Sequence, residues 1–165
     1  MRAAFRIASR SEAATRCLGR VLGMALLPGV TVLLSGDLGA GKTAFVKGVG
    51  DALGVAGVRS PSFTLINEYR TGRFLLTHAD LYRLDPEGVD ELGLEEYAGA
   101  EDAVLMVEWP ERWRFPPETE VLDVTLGLWG EEERMLEVRS VGERADEAAD
   151  ALFAGVKDCP GAELL

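Results

Sequence analysis

Gly36, Gly41, Lys42 and Thr43 stand at the spacing G-x-x-x-x-G-K-[ST] inside the stretch TVLLSGDLGAGKTAFVKG. Glycines let a backbone curl until successive N–H groups converge on one anion, and a helix that opens directly after the loop adds the positive end of its dipole. In that frame Lys42 reaches the β- and γ-phosphates of a nucleoside triphosphate, and Thr43 offers its hydroxyl to Mg²⁺.

Such a loop needs an acid at the end of a neighbouring buried strand, to hold Mg²⁺ directly or through water. Two strands deliver one: AVLMVE ends in Glu108, and RFLLTHAD ends in Asp80. With Thr43 and phosphate oxygens already on the metal, one carboxylate suffices for it. Glu108 is therefore assigned to Mg²⁺, and Asp80 to the attacking water or the outer shell of the metal. Both join Lys42 as candidate catalytic residues. The stretch RSPSFT has the place of a switch loop, in which Ser60, Ser62 and Thr64 sense the γ-phosphate or the metal. The order of parts resembles that of a small GTPase, but two features oppose it. Arg83 stands where D-x-x-G requires glycine, and the sole asparagine, Asn67, lies in INEY, so there is no N-K-x-D guanine reader. Three further residues keep two roles each. His78 is either a half-buried histidine with its hydrogen bonds met or a neighbour of Asp80. Trp109 shields the metal or packs the sheet edge, and Arg83 neutralises transition-state charge or pairs with acids.

The elements that must position these residues follow from local pattern. AFRIA reads as a short strand, and Ser9 with Glu12 has the S-x-x-E spacing of a capping box. Apolar residues at Ala14, Cys17, Leu18, Val21, Leu22 and Ala25 then recur at helical spacing and stop before Pro28. VTVLLS suits a strand buried on both faces, and KTAFVKGVGDALG a helix ending at Gly54. FTLINEYR and RFLLTHAD, separated by Thr71 and Gly72, form a hairpin. A short helix over residues 85–97, the strand AVLMVE, a strand pair EVLDVTLGL and RMLEVRSV, and a helix over residues 143–154 complete the set. Strands alternating with helices predict an α/β, three-layer P-loop NTPase fold: a central mixed sheet flanked by helices, in one domain over residues 1–165 with a loose tail at about 156–165.

Composition limits the partners. The net charge is −11, which disfavours a direct grip on nucleic-acid phosphates. Residues 1–83 hold 11 Lys and Arg against 5 Asp and Glu, whereas residues 84–165 hold 6 against 23. The acidic half is either a solvated face or a docking face for a basic partner. No apolar run approaches the roughly 20 residues of a membrane span, and MRAAFRIASRSEAA lacks the apolar core of a secretory signal, so a cytoplasmic protein is expected. Cys17 and Cys159, each alone, are expected to be reduced thiols.

Five segments in this order, LSGDLGAGKTAFVKG, SPSFTLINEY, HADLYRL, ELGLEEY and VEWPER, resemble the TsaE (formerly YjeE) family, the ATPase of tRNA threonylcarbamoyladenosine biosynthesis. The likeness spans residues 12–113. It implies a protein that binds ATP and Mg²⁺, hydrolyses ATP weakly alone, and works with TsaD and TsaB, meeting tRNA only through that complex. The family's nucleotide site falls on Ser35, Gly36, Asp37, Leu38, Gly39, Ala40, Gly41, Lys42, Thr43 and Ala44, its Mg²⁺ ligands on Thr43 and Glu108, and its H-x-D-L-Y-R acid on Asp80. One departure is Ser62, where SPTF would place threonine; a hydroxyl is kept and a methyl lost. Two other readings of the phosphate loop stay open: a small-molecule kinase, against which the chain offers no Arg-rich lid after Asp80, and a nucleotide-dependent switch without useful turnover.

Overall fold

The run VTVLLS forms β2 (Val30–Ser35), a central strand of one eight-stranded sheet. The computed structural model describes residues 4–61 and 64–165. In chain order the remaining elements are β1 (Phe5–Ser9), α1 (Glu12–Ala25), α2 (Lys42–Ala52), β3 (Ile66–Arg70), β4 (Leu75–Asp80), α3 (Pro86–Glu91), β5 (Ala103–Glu108), β6 (Glu120–Leu128), β7 (Arg134–Val141), α4 (Glu143–Gly155) and β8 (Ala162–Leu164). Short 3-10 turns cover Leu94–Glu96, Pro110–Arg112 and Val156–Asp158.

The strand order is β3-β4-β5-β2-β6-β7-β1-β8. The inner strands β4, β5, β2 and β6 run parallel, while β3, β7, β1 and β8 pair antiparallel with their neighbours, so the sheet is mixed. Parallel strands are covered on both faces, and strand residues accordingly divide by parity. Val32, Leu34, Leu76, Val104, Met106, Leu122 and Val124 join the core under α1, α2 and α4. Leu33, Ala79, Leu105, Val107 and Val121 join a second core with Val89 of α3, Leu94 and Trp113. These are the three layers expected from the sequence, the second helical layer being thin.

Two glycines decide how α2 sits. A Cβ at Gly48 would lie 2.0 Å from the Arg16 carbonyl oxygen, and one at Gly19 2.1 Å from that of Phe45. The backbones of α1 and α2 thus approach to a distance only glycine permits. Each helical glycine costs about 1 kcal/mol in propensity, offset by the packing of Phe45, Val46 and Val49 against Leu18 and Leu22. At the rim of this contact Arg16 grips Asp51 through two hydrogen bonds of 2.6 and 2.9 Å.

Several local expectations change. The N-cap of α1 is Ser11, whose Oγ accepts from Ala14 N–H at 3.0 Å. Ser9 instead completes β1, opposite Arg134, and its hydroxyl bonds that of Thr15 at 2.7 Å. The helix expected over residues 85–97 is divided into α3 and a 3-10 turn by Gly93, whose φ is +65°. The supposed loose tail carries a 3-10 turn and then β8, which pairs with β1 over Ile7, Ala8 and Ser9. Cys17 and Cys159 are not separate thiols. They form a disulfide across a sequence separation of 142, because the turn after α4 brings Cys159 onto α1. Among the described residues no helix is long and apolar enough to cross a membrane.

Candidate functional site

At the exit of β2 the chain turns at Gly36, where φ is +147° and a Cβ would lie 2.5 Å from the Leu126 carbonyl oxygen of β6. Five residues later Gly41, at φ +105°, serves as the N-cap of α2. Glycine is thus required at both ends of the loop, by close backbone approach at the first and by left-handed backbone at the second. Lys42 opens α2 and is only 6% exposed. Its ammonium donates to the Gly36 carbonyl and lies 4.2 Å from the centroid of the Trp109 ring, a cation–π distance.

The two acids reach this loop by register. Asp80 pairs with Glu108 across β4 and β5, and Glu108 with Leu34 across β5 and β2. Both strand ends therefore stand beside the start of the loop, on the face that carries α2. Glu108 is buried, at 4% exposure, and its Oε2 lies 2.7 Å from His78 Nε2. Asp80 is half-buried. Its Oδ1 accepts from Tyr82 N–H at 3.0 Å and its Oδ2 from the Ser60 hydroxyl at 3.2 Å.

These residues line one cleft of about 770 Å³, within the range of small-ligand sites. Leu38, Gly39, Gly41, Lys42, Thr43 and Ala44 form its floor, with Asp80, Glu108, Trp109, Ser60 and Arg83 on its walls. Ser11, Glu12 and Thr15 from the start of α1, Glu131 and Glu132 from the β6–β7 turn, and Arg134 at the start of β7 also line it. The two non-glycine residues of positive φ among the described residues, Leu65 at +68° and Trp109 at +59°, both lie here. Backbone held in that region costs on the order of 1–3 kcal/mol and gathers at working sites. At Trp109 it turns the chain directly after Glu108 and sets the indole under the Lys42 ammonium.

Of the proposed switch hydroxyls, Ser60 lies in the cleft against Asp80. Thr64 donates to Asn67 Oδ1 at 2.6 Å, and Ser62 falls outside the described residues. Arg134 is the residue that sequence reasoning missed. It donates to the Glu133 carbonyl at 2.9 Å and, across a separation of 95 residues, to the Gly39 carbonyl at 3.2 Å. Its side chain also packs within 3.8 Å of where a Gly41 Cβ would be. It thereby clamps the glycine loop to the β6–β7 turn. No local motif marks it; only pairing of β6 with β7, and of β6 with β2, brings it there.

The oxygen donors suit Mg²⁺. A hydroxyl at Thr43 and carboxylates at Glu108 and Asp80 are hard ligands, and no group of three or more His, Cys, Asp or Glu among the described residues forms an all-protein metal cage. Mg²⁺ is commonly held in this way, by one or two protein oxygens together with substrate phosphates and water.

A family model, "Threonylcarbamoyl adenosine biosynthesis protein TsaE", matches residues 9–136. A Nostoc protein named tRNA threonylcarbamoyladenosine biosynthesis protein TsaE is 46% identical over 73% of this chain and 76% of its own length. The protein of that name from Bacillus subtilis is 37% identical over 84% of this chain and 87% of its own. The crystal structure of Bacillus subtilis YdiB superposes with a TM-score of 0.78 at 31% identity, covering 93% of this chain and 97% of that one.

Proposed function

The chain belongs to the TsaE family, and on that premise we propose that it is a Mg²⁺-dependent ATPase serving threonylcarbamoyladenosine modification of tRNA. The observation that carries the ATPase reading is the side-by-side delivery of Asp80 and Glu108 to a glycine loop that holds Lys42. In this reading ATP lies along residues 35–44, with N–H groups and the Lys42 ammonium on its phosphates. Thr43 and Glu108 hold Mg²⁺, which when bound neutralises charge on the β- and γ-oxygens. Asp80, oriented by Tyr82 N–H and the Ser60 hydroxyl, accepts a hydrogen bond from the attacking water. Because Ser60 touches Asp80, residues 59–64 can couple the state of the nucleotide to the acid.

An efficient phosphate-loop hydrolase sets an arginine against the γ-phosphate, an effect of roughly 10³–10⁵ in turnover. Of the two arginines that line the cleft, Arg134 is committed to loop carbonyls, which leaves Arg83 as the cis candidate there; membership of the TsaE family supports slow turnover alone and acceleration by TsaD and TsaB, in the cytoplasm, with tRNA met only through those partners. The acidic half would contribute to that docking, which raised salt would then weaken.

Calorimetry and phosphate release test this together. Wild-type protein should bind Mg-ATP, Lys42→Ala should lose most of the affinity, and Asp80→Ala should bind but hydrolyse slowly with partners present. A phosphorylated small molecule as product would instead identify a kinase, and unchanged ATP binding by Lys42→Ala would remove the assigned site.

A further inference from the structure

His78 is 1% exposed, and among the described residues only one of its two ring nitrogens is satisfied: Nε2 meets Glu108 Oε2 at 2.7 Å, and Nδ1 has no hydrogen-bond partner there. Leaving a buried polar atom unpaired costs roughly 1–3 kcal/mol. The same face of β4 carries Leu76, fully buried and free of that cost. Packing therefore gives no reason for an imidazole at this position, whereas the bond to Glu108 does. An ionised carboxylate only accepts, so Nε2 carries the hydrogen of that bond.

We propose that His78 is the positioning residue of the metal site: it holds Oε2 of Glu108 from within the sheet, fixing the carboxylate so that Oε1 is presented to the cleft. The proposal rests on the Mg-nucleotide reading of the cleft. His78 stands two residues before Asp80 on the same strand face, and Met106, its partner in register, stands two before Glu108. One strand thus supplies both the half-buried acid and the brace for its neighbour. A carboxylate with three rotatable bonds at a buried strand end has no other hydrogen bond to fix it among the described residues, and bracing partners of this kind typically change metal affinity by about 10–100-fold when removed.

Two amide substitutions separate bracing from mere packing. In His78→Gln the side-chain amide reaches the place of Nε2 and donates to Glu108; in His78→Asn it reaches only the place of Nδ1. Binding of a non-hydrolysable ATP analogue to the full-length chain, measured by calorimetry across a Mg²⁺ titration, gives the metal midpoint. Asn should raise that midpoint by about 10–100-fold, Gln should recover most of the loss, and affinity without Mg²⁺ should be alike in all three proteins. Equal midpoints for Asn and wild type, or Gln no better than Asn, overturn the proposal. If wild-type affinity ignores Mg²⁺, the metal reading itself falls, a result distinct from either. Should the Asn variant not fold, a variant-free measurement still decides. His78 is the only histidine of the chain, so a tag-free ¹⁵N-labelled sample yields one imidazole spin system. It should show a hydrogen on Nε2, and a ring that carries its hydrogen on Nδ1 alone overturns the proposal.

Discussion

Replacing Gly48 by alanine sets two effects of opposite sign against each other. In a helix interior alanine is better than glycine by about 1 kcal/mol, so propensity alone makes the change stabilising. The added Cβ, however, would lie 2.0 Å from the Arg16 carbonyl oxygen and 2.9 Å from Arg20 N. A carbon–oxygen contact relaxes at about 3.3 Å, so α1 and α2 must part by on the order of 1 Å. The obstacle is backbone, and no rotamer change removes it. Overpacking of this kind costs roughly 1–3 kcal/mol, occasionally more, and here it spreads along a helix pair that also buries Phe45 and Leu22. A 2.0 Å approach to backbone puts the cost at the upper end of that range, so the net expectation is a loss of about 2 kcal/mol, or roughly 4–8 °C in Tm for a chain of this size. Because α2 begins with Lys42 and Thr43, ATP affinity should fall with it. Gly127→Ala is the control, since a Cβ there meets nothing within 4 Å. Thermal unfolding followed by calorimetric titration reads both effects, and a Gly48→Ala protein as stable as wild type, or more so, would refute the close-approach account.

Three further outcomes are expected. Arg134→Ala frees the Gly39 carbonyl from its clamp and should weaken nucleotide binding about 10-fold, as loss of a hydrogen bond from a charged group does; unchanged affinity by calorimetry would leave the clamp without a function. Burial raises the Asp123 carboxyl above its usual range, with Arg139 opposing, so the folded protein binds this proton more tightly than the unfolded chain. Its contribution is fully present in acid and is lost as pH rises through the folded pKa. Asp123→Asn should therefore gain stability over wild type near neutral pH and less in mild acid, read from urea midpoints; an advantage confined to acid would reverse the sign. Reducing the Cys17–Cys159 bond, which closes 142 residues of sequence, should cost about 2–4 kcal/mol, and hydrogen exchange should rise first in β8. Uniform exchange with and without reductant would argue against that fastening.

What could be read from sequence was what is written locally. The β2 strand, the glycine loop and the start of α2 occupy one contiguous stretch, and Asp80 and Glu108 each follow an apolar run that announces a buried strand. The parts that escaped are set by pairing across the sheet. Ser9 and Glu12 have the spacing of a capping box, yet the ladder with β7 holds Ser9 in β1 and passes the cap to Ser11. His78 was weighed as a neighbour of Asp80 on its own strand, but its partner is Glu108, across the sheet. Arg134 and the cysteine pair reach their places only once β6, β7 and α4 are folded. Residues 156–165 looked loose because three residues of strand carry almost no periodicity, and their order comes from the open edge of β1.

The position of β1 in the sheet also sets a timetable. It is the first of the eight strands to leave the ribosome, yet its neighbours are β7 and β8, the last two made. At roughly 5–20 residues per second, β1 waits on the order of ten seconds for a partner. Meanwhile β2, β4 and β5 can pair, and the glycine loop with its two neighbouring acids can assemble around them. During translation, therefore, the half that carries the cleft is able to form while the opposite edge of the sheet still awaits β7 and β8.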